Sequence, residues 1–446
     1  MVLVPDLDQR RAGAAATRSD EPRLRYPARE RLTEAVGLAS AIDLAVVYDA
    51  IVGLAAVRPA TLFGRGKVDE IADLVAEHDA ELVIVDHALT PIQQRNLERC
   101  WRAKVLDRTG LILEIFGRRA RTREGRLQVE LAHLTFQRSR LVRSWTHLER
   151  QRGGFGFLGG PGETQIETDR RLLQERIQKI REELARVSRT RALHRKGRRQ
   201  VPYPIVAIVG YTNAGKSTLF NRLTNAGVLA QDQVFATLDP TMREIVLPSR
   251  RKAILSDTVG FISDLPTMLV AAFRATLEEV VEADLLLHVR DIAHPETEAQ
   301  RADVEDVLGQ LGLAVKGTEA RIVEVWNKID LLSPEAREGL DAKLPTYEQP
   351  PVLLSAVTGE GCDHLAVAIN DWIGRGDVEM QLVFPSTFGR LAHWLHENAT
   401  VLDTAAEADG DLRITFRISE ALLGRLDGQM KAAGISPQDQ MLKAAQ

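Results

Sequence analysis

The stretch Ile205-Val-Ala-Ile-Val-Gly-Tyr-Thr-Asn-Ala-Gly-Lys-Ser217 joins five apolar residues to the pattern Gly-x-x-x-x-Gly-Lys-Ser. The apolar run predicts a buried strand, and the pattern predicts a glycine-rich loop that opens a helix. Backbone N–H groups of such a loop surround a phosphate, and the helix N-terminus adds favourable partial charge. We expect Lys216 to bridge the β- and γ-phosphates of a nucleoside triphosphate and Ser217 to ligate Mg²⁺. The expected phosphate loop consists of Gly210, Tyr211, Thr212, Asn213, Ala214, Gly215, Lys216, Ser217 and Thr218.

A second motif identifies the base. The apolar strand Ile322–Trp326 leads into Asn327-Lys328-Ile329-Asp330. The Asp330 carboxylate can accept hydrogen bonds from N1–H and the 2-amino group of guanine, whereas adenine offers neither donor. We expect Asn327 to tie the base edge to the loop and the stem of Lys328 to lie along the base. A third segment, Ser355-Ala356-Val357, supplies a backbone contact to the guanine O6.

Two segments between these motifs have the character of nucleotide switches. Asp257-Thr258-Val259-Gly260 follows the strand Ala253–Ser256, so Asp257 should hold Mg²⁺ through water and the Gly260 N–H should meet the γ-phosphate. Phe235-Ala236-Thr237-Leu238-Asp239 is the expected first switch, with Thr237 as a Mg²⁺ ligand; Thr241 is the alternative ligand. Both segments can order with the γ-phosphate and relax without it. The residues expected to act on the reacting phosphate are Lys216, Thr237 and Gly260.

Two positions modify the expected hydrolysis. Phe261 follows Gly260, where many small GTPases have a glutamine that orients water. A phenylalanine cannot position water, so intrinsic hydrolysis should be slow or its catalyst must come from elsewhere. Asn213 stands three residues before Lys216, where an asparagine in several GTPases ligates K⁺. The alternative is that Asn213 only stabilises the loop.

The 446 residues are too many for one core and suggest about three domains. We assign residues 201–375 to a doubly wound α/β GTPase domain, 27–125 to a small α/β domain with a largely parallel sheet, and 376–446 to a small α+β domain. Residues 1–26 lack an apolar segment and are predicted to be a disordered tail. Within 27–125 we predict helices over 30–42 and 68–78, strands over 44–48, 82–86 and 104–106, and a capping box at Thr90 that starts a helix. In 376–446 we predict strands over 379–384, 401–406 and 412–418 and helices over 389–398 and 420–433.

Residues 126–200 are predicted to form an antiparallel coiled-coil hairpin. Leucine and Trp145 recur with 4-3 spacing from Leu127 to Leu148, broken only by Arg138, and apolar residues do so from Ile166 to Val187. Between Arg118 and Gln200 there are 22 Lys and Arg against 9 Asp and Glu, although the whole chain has a net charge of −4. A concentrated basic segment in an otherwise acidic chain indicates nucleic-acid binding, and the alternative is a solvated helical face. The glycine-rich connector 153–163 carries Phe155, Phe157 and Leu158, which suggests a tip that enters a nucleic-acid cavity.

The chain resembles the HflX family of ribosome-associated GTPases over residues 40–375. The matching motifs are Gly162-Glu-Thr-Gln-Ile-Glu-Thr-Asp-Arg-Arg171, Asp257-Thr-Val-Gly-Phe-Ile262, Leu265-Pro266 with Phe273-Arg-Ala-Thr-Leu-Glu278, Thr90-Pro-Ile-Gln-Gln-Arg-Asn-Leu97 and Asp107-Arg-Thr109. The resemblance implies binding to the large ribosomal subunit and GTP-dependent separation of stalled or idle ribosomes. At the hairpin tip Phe157-Leu158-Gly159 departs from the family, which has an arginine before the Gly-Pro-Gly-Glu turn.

The composition limits the remaining possibilities. Cys100 and Cys362 are too few for a disulfide framework, and no apolar run is long enough to span a membrane. We expect a cytoplasmic monomer, with loose membrane association as an open alternative, that binds GTP and GDP, Mg²⁺ and, through Asn213, K⁺.

Three functions compete. The first is a hydrolase that drives ribosome dissociation, the second is a slow GTP-gated clamp on the large subunit, and the third is an ATP-dependent RNA remodeller with an N-terminal nucleotide site. The sequence contains no complete loop for the third.

Overall fold

A computed structural model describes residues 1–7, 26–120, 122–151, 161–198, 203–224, 241–266, 269, 277–315, 317, 320–407, 410–432 and 441–443. These residues form three β-sheets and a helical hairpin. The fold is α/β, with a P-loop GTPase sheet at its centre, an α/β unit and the hairpin before it, and an antiparallel sheet after it. No helix in the described ranges combines the length and the apolar character needed to cross a membrane.

The N-terminal unit is a four-stranded parallel sheet with strand order β2-β1-β3-β4. Its elements are β1 (Val2–Leu7), α1 (Ala28–Ser40), β2 (Asp49–Leu54), α2 (Arg65–Glu77), β3 (Leu82–Val85), α3 (Pro91–Trp101), β4 (Lys104–Asp107) and α4 (Arg108–Arg119). The capping box at Thr90 is confirmed, because its hydroxyl accepts from the Gln93 backbone N–H while the Gln93 side chain accepts from the Thr90 N–H. The predicted parallel sheet is likewise confirmed.

Three expectations for this unit need correction. The disordered tail is wrong for its first seven residues, because Val2, Leu3 and Val4 are buried and β1 pairs with strands on both sides; residues 8–25 lie outside the described ranges. The strand predicted over 44–48 is wrong, since the Leu44 N–H bonds the Ala39 carbonyl beyond the end of α1 and the strand begins at Asp49. Helix α4 was not predicted, although the Asp107 side chain caps it by accepting from the Gly110 N–H at 2.8 Å.

The helical hairpin consists of α5 (Arg123–Gln151) and α6 (Pro161–Arg198). Its antiparallel arrangement is confirmed by side-chain contacts between the arms: Arg138 donates to Gln174 at 2.6 Å and Arg176 to Glu130 at 2.7 Å. Ile177 and Ile180 of the predicted seam are buried. The tip residues 152–160 and the side chains of residues 141–150 lie outside the description. The arms, at 29 and 38 residues, are longer than the 22 that the apolar spacing predicts.

The central unit is a six-stranded sheet with order β10-β9-β8-β5-β7-β6, parallel except for β6. Its elements are β5 (Ile205–Gly210), α7 (Lys216–Thr224), β6 (Thr241–Val246), β7 (Lys252–Asp257), α8 (Glu278–Glu282), β8 (Leu285–Asp291), α9 (Thr297–Gln310), β9 (Ile322–Asn327), α10 (Pro334–Asp341), β10 (Val352–Leu353) and α11 (Cys362–Ile373). In a parallel sheet of this kind, ligands bind at the carboxyl ends of the strands. The loops after β5, β7, β9 and β10 therefore meet at one edge.

The C-terminal unit contains β11 (Asp377–Pro385), α12 (Gly389–Asn398), β12 (Thr400–Ala406), β13 (Asp411–Ser419), α13 (Glu420–Ala432) and β14 (Met441–Lys443). The predicted helices and strands are confirmed within two residues, and the sheet is antiparallel with order β12-β13-β11-β14. Arg251, on the turn before β7, pairs with the buried carboxylate of Asp377 and so joins this unit to the central sheet.

The core of the N-terminal unit extends into the central unit and into the hairpin. Val129 and Ala132 of α5 pack in it together with Val259 and Ile262, which flank the Gly260 position. The hairpin, the N-terminal sheet and the segment after β7 therefore share one continuous apolar core, which fixes their relative positions.

Candidate functional site

The phosphate loop follows β5 and begins at Gly210, whose φ of +151° and close approach to the Val289 carbonyl exclude a side chain there. Lys216 is buried, and its Nζ donates to the Tyr211 carbonyl at 2.7 Å. Burial lowers the pKa of Lys216 to about 8, although the Asp257 carboxylate opposes this shift. A bound phosphate would supply the anionic partner that a buried ammonium group lacks.

Ser217 and Asp257 meet at the carboxyl end of β7. The Ser217 hydroxyl donates to Asp257 Oδ2 at 2.7 Å, and Asp257 is fully buried. A hydroxyl beside a carboxylate is an oxygen donor set of the kind that Mg²⁺ prefers when it also binds nucleotide phosphates and water. Two of the three residues predicted to hold Mg²⁺, Ser217 directly and Asp257 through water, are thus brought together, and the pair fits the ion.

Gly260 lies directly against the phosphate loop. A Cβ atom at this position would be 3.0 Å from Lys216 Nζ and 2.8 Å from Thr212 Cγ2, so only glycine fits without displacement. Thr258 anchors the same segment, because its hydroxyl donates to the Ile208 carbonyl at 2.6 Å. The structure therefore brings the expected γ-phosphate contact next to the expected phosphate lysine.

The Phe261 side chain is buried in an apolar cluster. Its side chain is 2% exposed and packs with Val209, Tyr211 and Leu277. Its backbone pairs with the loop instead: the Phe261 N–H donates to the Gly210 carbonyl at 3.1 Å, and the Thr212 N–H donates to the Phe261 carbonyl at 2.7 Å. Phe261 thus fastens the switch segment to the phosphate loop rather than facing a substrate water.

Asn327 connects two of the predicted binding segments. Its Nδ2 donates to the Ala214 carbonyl at 2.8 Å, and its Oδ1 accepts from the Ala356 N–H at 2.9 Å. The amide is 2% exposed. A Cβ atom on Gly215 would lie only 2.2 Å from Nδ2, so the second loop glycine, with φ +91°, leaves room for this bridge. One side chain therefore sets the spacing between the phosphate loop and the expected guanine loop.

The expected guanine-binding surface is open. Asp330 is exposed, and Val357 is 68% exposed at the neighbouring loop. Lys328 has a left-handed backbone, with φ +68°, and its ammonium group pairs with Asp291 at 2.7 Å. This ion pair holds the Lys328 stem in one position beside Asp330.

Two supporting residues were missed from the sequence. Asp291 ends β8 next to β9, and a polar residue at the end of a buried strand was the signal that could have identified it. Arg222 on α7 donates to the carbonyls of Ala356 and Val357, at 3.2 Å for the first. No local pattern distinguishes Arg222 from an ordinary helix arginine.

The remaining predicted site residues are Asn213, the first-switch residues 235–239 and the alternative ligand Thr241. Asn213 is exposed with φ +60°, a conformation that asparagine adopts more readily than most residues, so the loop itself gives a reason for asparagine here. Phe235, Ala236, Thr237, Leu238 and Asp239 lie outside the described residues. The alternative ligand Thr241 begins β6. Within the described residues no group of three or more His, Cys, Asp or Glu side chains could hold a metal.

Models of protein families match the chain in four consecutive parts. Their descriptions are "GTP-binding GTPase N-terminal" for residues 29–117, "GTP-binding GTPase Middle Region" for 119–198, "50S ribosome-binding GTPase" for 205–328 and "HflX C-terminal domain" for 345–441.

Curated proteins are similar over most of their length. "GTPase HflX" of Magnetococcus marinus is 50% identical over 419 residues, which cover 94% of this chain and 95% of that protein. "GTPase HflX" of Escherichia coli is 46% identical over 81% of this chain and 83% of its own length. The protein of the same name from Caldanaerobacter subterraneus is 43% identical over 82% of this chain and 83% of its own length.

Proposed function

Because this chain belongs to the HflX GTPase family and is a GTP-hydrolysing P-loop enzyme, we propose that its hydrolysis requires Mg²⁺ and that it binds the large ribosomal subunit and promotes ribosome dissociation. The observation that carries the proposal is the joining of the phosphate loop and guanine loop by Asn327, and the basic helix α6 of the hairpin supports its ribosome part.

In this proposal the base is recognised by Asp330, and the loop Ser355-Ala356-Val357 supplies its backbone contact to the guanine O6 at Val357, since the N–H groups of Ser355 and Ala356 donate to the Glu360 carbonyl and to Asn327 Oδ1. Arg222 supports that assignment, because it fixes the carbonyls of Ala356 and Val357 and thereby orients the peptide groups of the loop. The phosphates lie along residues 210–218 and are neutralised by Lys216. When bound, Mg²⁺ supplies charge neutralisation at the β- and γ-phosphates, held by Ser217 and, through water, by Asp257; Thr237 is the proposed switch ligand.

Hydrolysis in this arrangement depends on positioning. Gly260 supplies a backbone N–H toward the γ-phosphate, and Lys216 stabilises the charge that develops on it. The buried Phe261 supports a slow intrinsic rate, because no side chain at this position reaches a water molecule. The missing catalytic contribution would come from K⁺ at Asn213 or from the ribosome.

The proposed ribosome contact is made by the hairpin. Arg170, Lys179, Arg181 and Arg189 on α6 are exposed, so their positive charges are accessible to rRNA phosphates. The description of the model matched by residues 205–328, "50S ribosome-binding GTPase", also supports this partner. Each phosphate contact contributes about 0.7–0.9 to the slope of log affinity against log salt.

The second candidate is a GTP-gated clamp that occupies the large subunit and uses hydrolysis only for release. The buried Phe261 favours it, since a slow rate suits a timer. Titration of purified large subunits separates the two candidates. An enzyme that drives dissociation shows a GTPase rate that rises with subunit concentration and splits intact ribosomes with GTP. A clamp binds with GTP but leaves intact ribosomes unsplit.

The hairpin is tested by sedimentation with large subunits in GTP, GDP or no nucleotide. Substituting Lys179 and Arg181 by glutamine should weaken co-sedimentation and lower the salt slope, whereas Arg390→Gln, which removes an exposed charge of the C-terminal unit, should not.

Deleting residues 155–160 should abolish ribosome-stimulated hydrolysis and splitting while GTP binding survives. Normal splitting by the deletion variant would mean that the hairpin is only a spacer.

A further inference from the structure

A buried polar cluster joins the N-terminal unit to the phosphate loop and to the segment after Gly260. We call Glu34, Asp86, Arg108, Tyr211 and Ser263 the interdomain cluster. Arg108 donates to Asp86 at 2.6 Å, to Glu34 at 2.7 Å, and to both the carbonyl and the hydroxyl of Ser263 at 2.8 Å. Four of the five residues are less than a tenth exposed, and the Glu34 side chain is 15% exposed.

Glu34 is the residue that all the central-unit members contact. The Ser263 hydroxyl donates to Glu34 Oε2 at 2.6 Å, and the Tyr211 hydroxyl donates to Glu34 Oε1. The Ser263 N–H in turn donates to the Tyr211 hydroxyl at 2.8 Å. Burial and, to a smaller extent, the nearby Glu34 carboxylate raise the pKa of Tyr211, so this hydroxyl keeps its proton and remains a donor.

The cluster lies where a parallel sheet ordinarily takes a ligand. In the order β2-β1-β3-β4, all four strands are parallel, and β2 and β3 lie on opposite sides of β1, so the strand order reverses there. The crevice at the carboxyl ends of the adjacent strands β1 and β3 is the usual binding position. Asp86 directly follows β3, and Arg108 directly follows β4. Here Arg108, which is paired with Asp86, holds Ser263 of the same chain.

The two central-unit members of the cluster, Tyr211 and Ser263, are each connected to the nucleotide site by short stretches of backbone. Tyr211 is the second residue of the phosphate loop, and its carbonyl accepts from Lys216 Nζ. Ser263 follows Gly260 by three residues, and Phe261 between them pairs with Gly210 and Thr212. Val259 and Ile262 are packed in the N-terminal core. A displacement of Glu34 or Arg108 therefore moves Gly260 relative to Lys216.

We propose that Glu34 and Arg108 are positioning residues for GTP hydrolysis, which hold Tyr211 and Ser263 so that Gly260 stays beside Lys216. The N-terminal unit thereby contributes to the GTPase site without touching the nucleotide. Because Gly260 is expected to meet only the γ-phosphate, the cluster should affect the hydrolysis step and leave GDP binding unchanged. A preorganised donor stabilises developing charge more than a mobile one does.

The test compares full-length variants at saturating Mg²⁺ and GTP. Glu34→Gln keeps the shape of the side chain and removes its charge, and Ser263→Ala removes the hydroxyl from the opposite side. Each should lower kcat about tenfold or more with GDP affinity within about twofold of wild type, and the double variant should be no slower than the slower single variant. Ser263→Ala keeps the test decisive if Glu34→Gln fails to fold, which circular dichroism reports.

Glu30→Gln is the matched control. Glu30 lies one turn earlier on the same helix face and pairs with His294 of the central unit at 3.8 Å, a residue outside the cluster. It should retain the wild-type kcat. The proposal is overturned by unchanged kcat in Glu34→Gln and Ser263→Ala, by an equal loss in Glu30→Gln, or by a parallel loss of GDP affinity. A kcat above wild type also overturns it, because the cluster would then restrain Gly260 rather than position it.

Discussion

Replacing Asn327 by alanine tests the bridge between the phosphate loop and the guanine loop. The substitution removes the donor to the Ala214 carbonyl and the acceptor from the Ala356 N–H, bonds of 2.8 and 2.9 Å. Both backbone groups belong to buried residues, since Ala214 is 0% and Ala356 2% exposed. Each buried group that loses its partner costs about 1–3 kcal/mol.

The free-energy cost of losing the bond to Asn327 can be measured at the Ala356 amide. Exchange of the Ala356 N–H requires the bond to Asn327 to open, so its loss should speed exchange roughly 5- to 150-fold, the equivalent of about 1–3 kcal/mol. Hydrogen exchange of the nucleotide-free protein, followed in a peptide that spans residues 354–358, measures the change. GDP affinity should fall in the same variant because the two loops no longer hold a fixed spacing.

Asn327→Asp separates the two bonds. The carboxylate still accepts from the Ala356 N–H, but an oxygen replaces the donor that faced the Ala214 carbonyl. Protection of Ala356 should therefore persist while GDP affinity falls. Asp330→Asn serves as the control, because Asp330 is exposed and should not change exchange at Ala356. Wild-type exchange at Ala356 in Asn327→Ala would refute the bridge, and so would equal exchange in the alanine and aspartate variants.

Three further predictions concern the nucleotide site. Asp330→Asn should lose GTP affinity by about a hundredfold and gain affinity for xanthosine triphosphate, whose 2-oxo group suits an amide donor; competition binding measures both, and unchanged GTP affinity would remove Asp330 from base recognition. If Asn213 holds a cation, hydrolysis should be faster in K⁺ than in Na⁺ at matched ionic strength. Equal rates in the two salts, both in the presence and in the absence of ribosomes, would leave Asn213 as a loop residue only. Lys216, with a pKa of about 8 when no phosphate is bound, loses its proton above that pH, whereas phosphate keeps it charged. GDP binding therefore takes up a proton and should weaken about tenfold from pH 7 to pH 9, which calorimetry in buffers of different ionisation enthalpy would detect.

Much of the fold was predictable because its signals are local. The loop from Gly210 to Ser217 and the motif from Asn327 to Asp330 each follow an apolar strand, so a short stretch defines both the element and its polar end. The capping box at Thr90 is equally local. The strand Val2–Leu7 was missed for the opposite reason. Its few apolar residues become a strand only through pairing with β2 and β3, which are distant in sequence.

The residues of the candidate site likewise divide into those that local motifs predict and those that depend on distant partners. The residues expected to contact nucleotide came from motifs, but those that support them, Arg222, Asp291 and Glu34, act through partners elsewhere in the chain. Phe261 shows a further limit. Its identity predicts that it cannot orient water, but only the structure shows that it is buried and that its backbone fastens the switch segment to the phosphate loop.

The positions of Asp107 and Arg108 connect the hairpin with the GTPase site. Asp107 caps α4 and pairs with Arg140 of the hairpin helix α5 at 2.5 Å. The next residue, Arg108, donates to Ser263. Adjacent backbone positions on one helix end thus hold the hairpin on one side and the segment after Gly260 on the other. Because close-packed elements transmit small shifts rather than absorb them, a load on the hairpin arms would reach Gly260 through α4. In the proposed function, this is the route by which a ribosome on the hairpin would alter hydrolysis without approaching the nucleotide.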